Sequence, residues 1–336
     1  MNTFFYKIPR YLKMIPLNVL IKGAGQRNIY PFYHAVSDEE IPHIKHLYKV
    51  RTLKEFERDL DFLLKQFTPV DLHSLITNLS IEKNTFLLSF DDGLREFHDV
   101  IAPVLLRKGI PAICFLNSGF IDNKDLFFRY KTSLLMEKLI NGKISGNLRN
   151  KVAFWFKSKG FNSDYQSLLS INYLNKNYLD ELAEIIEIDF GDYLQKVQPY
   201  LTTGQVQNLI KQGFDFGAHS IDHPLYSDLT ETMQIEQTRQ STQFIVGKFC
   251  RNYSVFSFPF TDDGVSMNFF RTVFDKDNPL ADITFGTSGL KKDCCPKNIQ
   301  RIPVEVDDFS AQEIIYGEYL YYICKSLFNK NITNRK

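Results

Sequence analysis

No run of about 18 apolar residues occurs in this chain, so no membrane-spanning helix is expected. Charge of one sign is also lacking. Lys and Arg number 40 against 39 Asp and Glu, and no basic patch interleaves with aromatics, which argues against a nucleic-acid partner. Cysteine is scarce and odd in number: Cys114, Cys250, Cys294, Cys295 and Cys324, none in a C-x-x-C arrangement. Buried free thiols in a reducing compartment are the expectation, because free Cys behaves mostly as a small hydrophobe. Internal repeats and low-complexity tracts are missing too. The first residues lack the uninterrupted apolar stretch and small-residue cleavage site of a secretory signal, so none is expected.

What remains is ordinary globular material, 44% hydrophobic and 24% charged, and 336 residues can bury a sizeable core as one domain or one domain with an insert. Aromatics are plentiful, with 30 Phe and 17 Tyr, compatible with packing and with stacking on sugar rings. The segment 1–27 is distinctive: Lys7, Arg10, Lys13, Lys22 and Arg27 stand among apolar residues without a single acid. Two readings are open, a peripheral contact with an anionic membrane surface or a docking segment that covers the rest of the fold.

Strand and helix alternate along most of the chain. Tyr30 to Val36 reads as a strand, with Pro31 tolerable only near its start. Thr52 to Phe67 carries Leu53, Phe56, Leu60, Phe62, Leu63 and Leu64 at helical spacing, with Thr52 as cap. Phe86 to Phe90 is a strand, Arg95 to Lys108 a helix stopped by Gly109, and Ala112 to Leu116 a strand. From 125 to 203 the pattern becomes helical, best at Leu126 to Ile140 and Tyr178 to Ile188, and is too long for a loop. Alternation resumes with a helix Thr203 to Gln212, a strand Phe214 to Ala218 and a helix near Thr230 to Lys248. Strands at Val255 to Pro259, Asp282 to Phe285 and Ile302 to Val306 precede a last helix, Ser310 to Phe328. About seven such alternations predict a parallel α/β layout.

Two motifs carry chemistry. Ser89-Phe90-Asp91-Asp92-Gly93 places two carboxylates after an apolar strand, and His219-Ser220-Ile221-Asp222-His223-Pro224 places two imidazoles after another. One carboxylate and two histidines make a three-ligand site for a divalent metal that leaves positions for water and substrate. The other carboxylate is free to take a proton from water, the inventory of a metal-dependent hydrolase. A second D-D-G at Asp262-Asp263-Gly264 offers the same residues, and an isolated D-D-G is often just a turn.

These motifs resemble the first (T/S-F-D-D-G) and second (H-S/T-x-x-H-P) motifs of the polysaccharide deacetylases, the NodB-like carbohydrate esterases of family 4. The likeness extends to Phe32-Tyr33-His34 and to Phe256-Ser257-Phe258-Pro259-Phe260, and spans roughly 30–120 and 205–306. It implies an α/β fold, an incomplete (β/α)7-type barrel with a helical insertion. The expected layout is a basic and apolar segment (1–29), a first part of the barrel (30–124), the insertion (125–203) and a second part with the C-terminal helix (204–336). Catalytic groups of such barrels sit at the C-terminal ends of strands.

By the resemblance, Asp92, His219 and His223 are the metal ligands, for one divalent ion such as zinc, with cobalt or nickel as alternatives. Asp91 is the general base. Pro259 and Phe260 belong to the substrate groove, and the Phe260 N–H is a possible oxyanion contact. Two family features are missing. The third-motif Arg is replaced by Ser257, for which Arg95, Arg129 or Arg301 are substitutes. The late histidine, general acid for the leaving amine, is absent, and His34 is the candidate to replace it. His43, His46, His73 and His98 read as structural or surface residues.

The expected activity is metal-dependent removal of N-acetyl, or alternatively O-acetyl, groups from a glycan, a hydrolysis of carbon–nitrogen bonds other than peptide bonds. Expected partners are an acetylated glycan or lipid-linked sugar in surface-polysaccharide synthesis, and no nucleic acid. The expected location is the cytoplasm, peripheral to the inner face of the membrane. The rival reading is a catalytically silent glycan-binding protein on the same barrel. The insertion would be a lid, a groove wall or an oligomer contact.

Overall fold

The strand-forming runs are short, apolar and buried on both faces, as parallel strands covered by helices must be. The structure is a computed structural model and describes residues 3–8, 15–77, 83–142, 145–162 and 164–335. The principal strands are β1 (Pro31–Tyr33), β2 (Leu88–Phe90), β3 (Ala112–Leu116), β4 (Asp215–Ala218), β5 (Val255–Ser257), β6 (Ile283–Gly286), β7 (Asn298–Gln300) and β8 (Ile302–Pro303). All neighbours are parallel, in the order β7-β6-β5-β4-β3-β2-β1-β8.

The two ends of that order are separated in the chain by Arg301 alone. Arg301 N–H donates to Gly286 of β6, and the next N–H, of Ile302, donates to Tyr30 beside β1. A single interrupted strand therefore bridges the seam of a nearly closed barrel, and counting it once gives the seven expected from the alternation. The expected unbroken strand Ile302 to Val306 is corrected accordingly. The chain changes partner at Arg301, and the ladder to β1 then runs through Ile302 and Val304, whose N–H groups donate to Tyr30 and Phe32.

Local sequence explains the outer helices. Thr52 and Glu55 form a capping box, and the helix Leu53–Gln66 buries Phe56, Leu60 and Leu63 at i, i+4 and i+7. Ser310 with Glu313 caps Ala311–Ser326, and Thr202 with Gln205 caps Thr203–Lys211. The helix expected over Arg95 to Lys108 is instead a π-turn, Phe97–Ile101, followed by an α-helix, Ala102–Lys108. Pro103 has no N–H, and its ring conflicts with the carbonyl four residues back, so the wider turn ahead of it relieves both problems. Gly109, at φ 64°, ends the helix as expected.

Between β3 and β4 lie the helices Phe128–Asn141, Gly146–Ser158, Asn177–Ile185 and Phe190–Val197. Their buried faces (Leu135, Met136, Trp155, Phe156, Leu179 and Leu182) join Ile41 and Ile44 from the loop after β1 in a core separate from the barrel's. That shared core presses the helical segment onto the strand ends where the motifs lie.

Of the N-terminal segment, Arg10 and Lys13 fall outside the described residues. The described parts, helices Phe4–Lys7 and Leu17–Ala24, bury Tyr6, Leu17, Leu20 and Ile21. Tyr6 donates to the buried Glu318 of the C-terminal helix at 2.6 Å. Gly317 permits that approach, since a Cβ there would lie 2.4 Å from the Tyr6 ring. The packing is that of a docking segment. Among the described residues no helix is long and apolar enough to cross a membrane. The five cysteines are free, but only Cys114 and Cys295 are buried; Cys250, Cys294 and Cys324 are exposed.

Candidate active site

The two motifs meet because their strands are separated only by β3. Asp91 follows β2 directly, His219 follows β4 directly, and His34 follows β1. Each motif then turns sharply. Asp92, Ser220, His223 and Phe260 all hold positive φ values, 69°, 68°, 61° and 56°, a costly conformation for residues with a Cβ and one that concentrates at functional sites. Gly93 continues the first turn at φ 65°, where a Cβ would come 2.7 Å from Leu116. The histidine loop is braced by its own Ser220 and by side chains from two neighbouring elements. Ser220 Oγ accepts from His223 N–H at 3.0 Å, Asn117 donates to the His219 carbonyl, and Gln237 Oε1 accepts from Ile221 N–H at 2.9 Å.

Asp92, His219 and His223 bring one ligand atom each to within 4.8 Å of one another, all buried. Asp92 Oδ1 lies 3.6 Å from His219 Nε2 and 3.2 Å from His223 Nε2, yet is buried without a hydrogen bond of proper geometry. His219 Nδ1–H donates to the Ser257 carbonyl at 2.8 Å, which leaves the Nε2 lone pair facing Asp92. Burial also pulls His219 down to about 4, so its imidazole is neutral. A converging carboxylate oxygen and two imidazole nitrogens, one with its tautomer fixed, fit a divalent cation. Tyr130, from the helix Phe128–Asn141, donates to the other oxygen, Asp92 Oδ2, at 2.6 Å. Burial and the Asp92 charge hold the Tyr130 hydroxyl protonated, well above its ordinary range.

Asp91 has a different environment. Arg301 Nη1 and Nη2 donate to its two oxygens at 2.8 and 2.7 Å. The same guanidinium donates to Ser89 Oγ at 3.1 Å, Ser257 Oγ at 2.6 Å and the Gly286 carbonyl at 3.3 Å, so all five N–H groups are used. Its plane lies among Phe32, Phe115 and Phe285 inside the barrel. Burial pushes the Asp91 carboxyl up, but the Arg301 guanidinium outweighs it and holds the group below the usual carboxylate range. Of the three arginines considered as substitutes, Arg301 is the one that reaches Asp91. Arg95 pairs with Asp99, and Arg129 donates to the Leu169 carbonyl. Ser257 stands where the family's Arg would begin, and it accepts a bond from the Arg that replaces it.

His34 is held by Glu305, two residues beyond β8. One Glu305 oxygen meets His34 Nδ1 at 2.7 Å and His34 N–H at 2.7 Å, and the other accepts from Ala35 N–H at 3.1 Å. Burial pulls His34 down, but the Glu305 bond and charge, helped by Asp92 and Asp91, raise it to about 9. Its side chain remains 26% exposed, while Glu305 is at 3%.

These groups share a cavity of about 380 Å³ lined by His34, Asp91, Asp92, His219 and His223, with Phe32, Tyr48, Phe127, Arg129, Leu169, Phe258, Phe260 and Thr287 as walls. Phe260 is 41% exposed, 4.6 Å from the His223 ring and 5.9 Å from Phe127. Pro259, expected in the groove, is buried and does not line the cavity. Its carbonyl accepts from Thr261 N–H at 2.6 Å, closing a tight turn around the left-handed Phe260.

The second D-D-G is structural. Asp262 is fully buried and bound by Arg335, Asn298 and Gln300. His43 is also buried, on Tyr193 and Tyr130, and burial drives it down to about 3. His46 pairs with Glu137 and His98 with Asp99, while His73 is exposed. Glu305 and Tyr130 were not foreseen. Glu305 had a signal, a lone acid in Ile302-Pro303-Val304-Glu305-Val306, whereas Tyr130 had none in a helix rich in aromatics.

A nearly closed parallel barrel with paired carboxylates and histidines at its strand ends fits a hydrolase site. The Polysaccharide deacetylase family model matches residues 79–268, more than half of the chain, and the protein belongs to that family. The match spans Asp91, Asp92, His219, His223 and Phe260, and leaves out His34, Arg301 and Glu305. Among solved structures, the chain is similar to the deacetylase PplD of Streptococcus pyogenes in complex with acetate. The TM-score is 0.53 at 12% identity, covering 86% of this chain and 97% of that one. It is also similar to IcaB from Ammonifex degensii, with TM-score 0.53, 14% identity and coverage of 88% and 98%. A polysaccharide deacetylase from Bacillus cereus gives 0.51 at 11%, covering 87% and 69%. These likenesses are of fold. No curated protein matches the chain.

Proposed function

We propose that this family member is a metal-dependent deacetylase that hydrolyses the N-acetyl groups of a glycan, such as a lipid-linked or surface polysaccharide. The observation that carries the reading is the opposite treatment of two proton-transfer groups beside one convergent ligand set. Arg301 keeps Asp91 ionised, and Glu305 keeps His34 protonated at neutral pH. Asp92, His219 and His223 would hold the metal, which when bound supplies Lewis acidity toward a water and an acetyl carbonyl.

The chain's own residues then divide the work. Asp91 takes a proton from the attacking water as its oxygen bonds to the acetyl carbon. The Phe260 N–H, which makes no hydrogen bond among the described residues, is placed to meet charge developing on the carbonyl oxygen. As the C–N bond breaks, His34 gives its proton to the nitrogen, and amine and acetate leave. The aromatic walls offer faces to a sugar ring and restrict water. A silent binding protein would have no need for a protonated His34 or for five guanidinium donors spent on and around Asp91.

The test is acetate release from N-acetylglucosamine oligomers and from an O-acetyl ester probe, with protein stripped of metal and reloaded with zinc, cobalt or nickel. Release should vanish on stripping, return on reloading and disappear in Asp91→Asn. Turnover that survives chelation would sink the metal's role, and turnover in Asp91→Asn would sink the base. Faster release from the ester would reassign the bond.

A further inference from the structure

Arg129 stands in the wall of the cavity on the helical segment between β3 and β4, one residue before Tyr130. Its guanidinium lies 5.0 Å from the Phe128 ring and 5.9 Å from Phe260, and Nη1 donates to the Leu169 carbonyl. Among the described residues it forms no ion pair. Arg301 and Arg335 behave differently, each pairing with at least one carboxylate. Arg129 is half-buried, its charge partly desolvated, and four of its five N–H groups have no protein acceptor among the described residues. Beside it, the helix Phe128–Asn141 begins without a side-chain cap and without an acid in its first turn. That end therefore adds partial positive charge on the side of the cavity marked by Phe127 and Arg129.

Neutral sugar hydroxyls would satisfy the donors but leave the charge unanswered. An anionic oxygen answers both, and a planar guanidinium held between aromatic faces is suited to binding a carboxylate or phosphoryl group in bidentate fashion. We propose that Arg129 forms an anion subsite, so that the preferred substrate is an acidic glycan carrying a carboxylate or phosphoryl group next to the acetylated sugar. This rests on the reading of the cavity as a deacetylase site, and it assigns the helical segment a part in choosing the substrate.

Three probes separate the possibilities with metal-loaded, full-length protein. They are an oligosaccharide in which N-acetylglucosamine adjoins glucuronic acid, its carboxyl-reduced counterpart, and N-acetylglucosamine 1-phosphate. The expected kcat/KM on at least one anionic probe is about tenfold or more above that on the reduced one, the size of a desolvated charge-assisted hydrogen bond. The gain should lie mainly in KM. In Arg129→Gln that ratio should fall to near one, and Arg129→Lys should keep part of it. Preference for the uronate alone identifies a carboxylate, and preference for the sugar phosphate alone a phosphoryl group. An equal rate on all three, or a loss in Arg129→Gln that falls alike on charged and neutral probes, would overturn the subsite and leave the deacetylase reading standing. Calorimetric binding of the same probes to Asp91→Asn supplies the converse separation. Arg129-dependent binding of a charged probe without turnover in the wild type would retain the subsite and sink the deacetylase. No preference in binding would overturn the subsite whatever the turnover.

Discussion

Replacing Arg301 with methionine removes the guanidinium that pairs with Asp91 inside the barrel while keeping an unbranched stem among Phe32, Phe115 and Phe285. Both partners are buried, Asp91 at 2% and Arg301 at 0% exposure. Breaking a buried pair from one side leaves an uncompensated charge, which costs about 3–5 kcal/mol. Against a total stability of about 5–15 kcal/mol this is a large fraction. The same logic applies to Asp91→Asn, which strands the guanidinium. The double variant strands neither charge, so its cost should be well short of the sum, with an interaction energy of about 2 kcal/mol or more. Urea unfolding of chelator-treated protein at pH 7 measures all four corners of the cycle. The pH dependence gives a second check. Asp91 is held below its ordinary range in the folded wild type. The stability it contributes is therefore present above the unfolded value of about 3.9 and lost as pH falls through the lower folded one. In Arg301→Met the buried carboxyl is pushed up instead and can be neutralised by protonation, so the gap between variant and wild type should narrow as pH falls from 7 toward 4. An additive cycle with a gap that ignores pH would show that Arg301 acts by packing alone.

Glu305→Gln should move the alkaline limb of activity from about pH 9 toward the ordinary histidine value of about 6.5. His34 is protonated below its folded pKa, and both its acid function and its stabilising ion pair are lost as pH rises through that value; a limb that stays in place would remove Glu305 from the mechanism. Tyr130→Phe deletes the donor to Asp92 Oδ2 and should weaken metal binding about 10–100-fold in chelator competition. Unchanged affinity would make the contact incidental. Zinc at a hundred times its dissociation constant should add about 2.7 kcal/mol to unfolding stability, and His223→Ala should lose that gain. Equal stabilisation of both proteins would place the ion elsewhere.

Legibility in the sequence followed the range of the interactions involved. Asp91, Asp92, His219 and His223 are each specified by a local turn directly after an apolar strand, so short motifs carried them, and the seven-fold alternation carried the barrel. Strand ends were less legible. The partner change at Arg301 cut the seam strand in two, and Pro103 turned part of a regular helix into a π-turn. Arg301 appeared in the sequence only as one of three arginines, because its contact with Asp91 spans 210 residues. Glu305 and His34 are 271 apart and meet only because β8 pairs with β1. Tyr130 and Arg129 depend on how a helical segment with its own core sits on the strand ends, which no local periodicity encodes.

Two departures from the family's motifs, the absent third-motif Arg and the absent late histidine, are answered by the same stretch of chain. Arg301 and Glu305 are four residues apart across the seam, and residues at even spacing along an extended chain face the same side. Arg301 turns inward to Asp91, while Glu305, past the end of β8, reaches His34 beyond β1. The stretch thus places a cation on one proton-transfer group and an anion on the other, driving their pKa values in opposite directions: Asp91 downward and His34 upward. A base that must be ionised and an acid that must be protonated at one pH require that separation. Neither replacement would serve alone, since a protonated His34 without an ionised Asp91 has no water to follow, and an ionised Asp91 without His34 must expel an amine anion. In the proposed mechanism, Arg301 at the seam and Glu305 just past β8 make this stretch the element that tunes both proton-transfer groups, Asp91 of the first motif and His34.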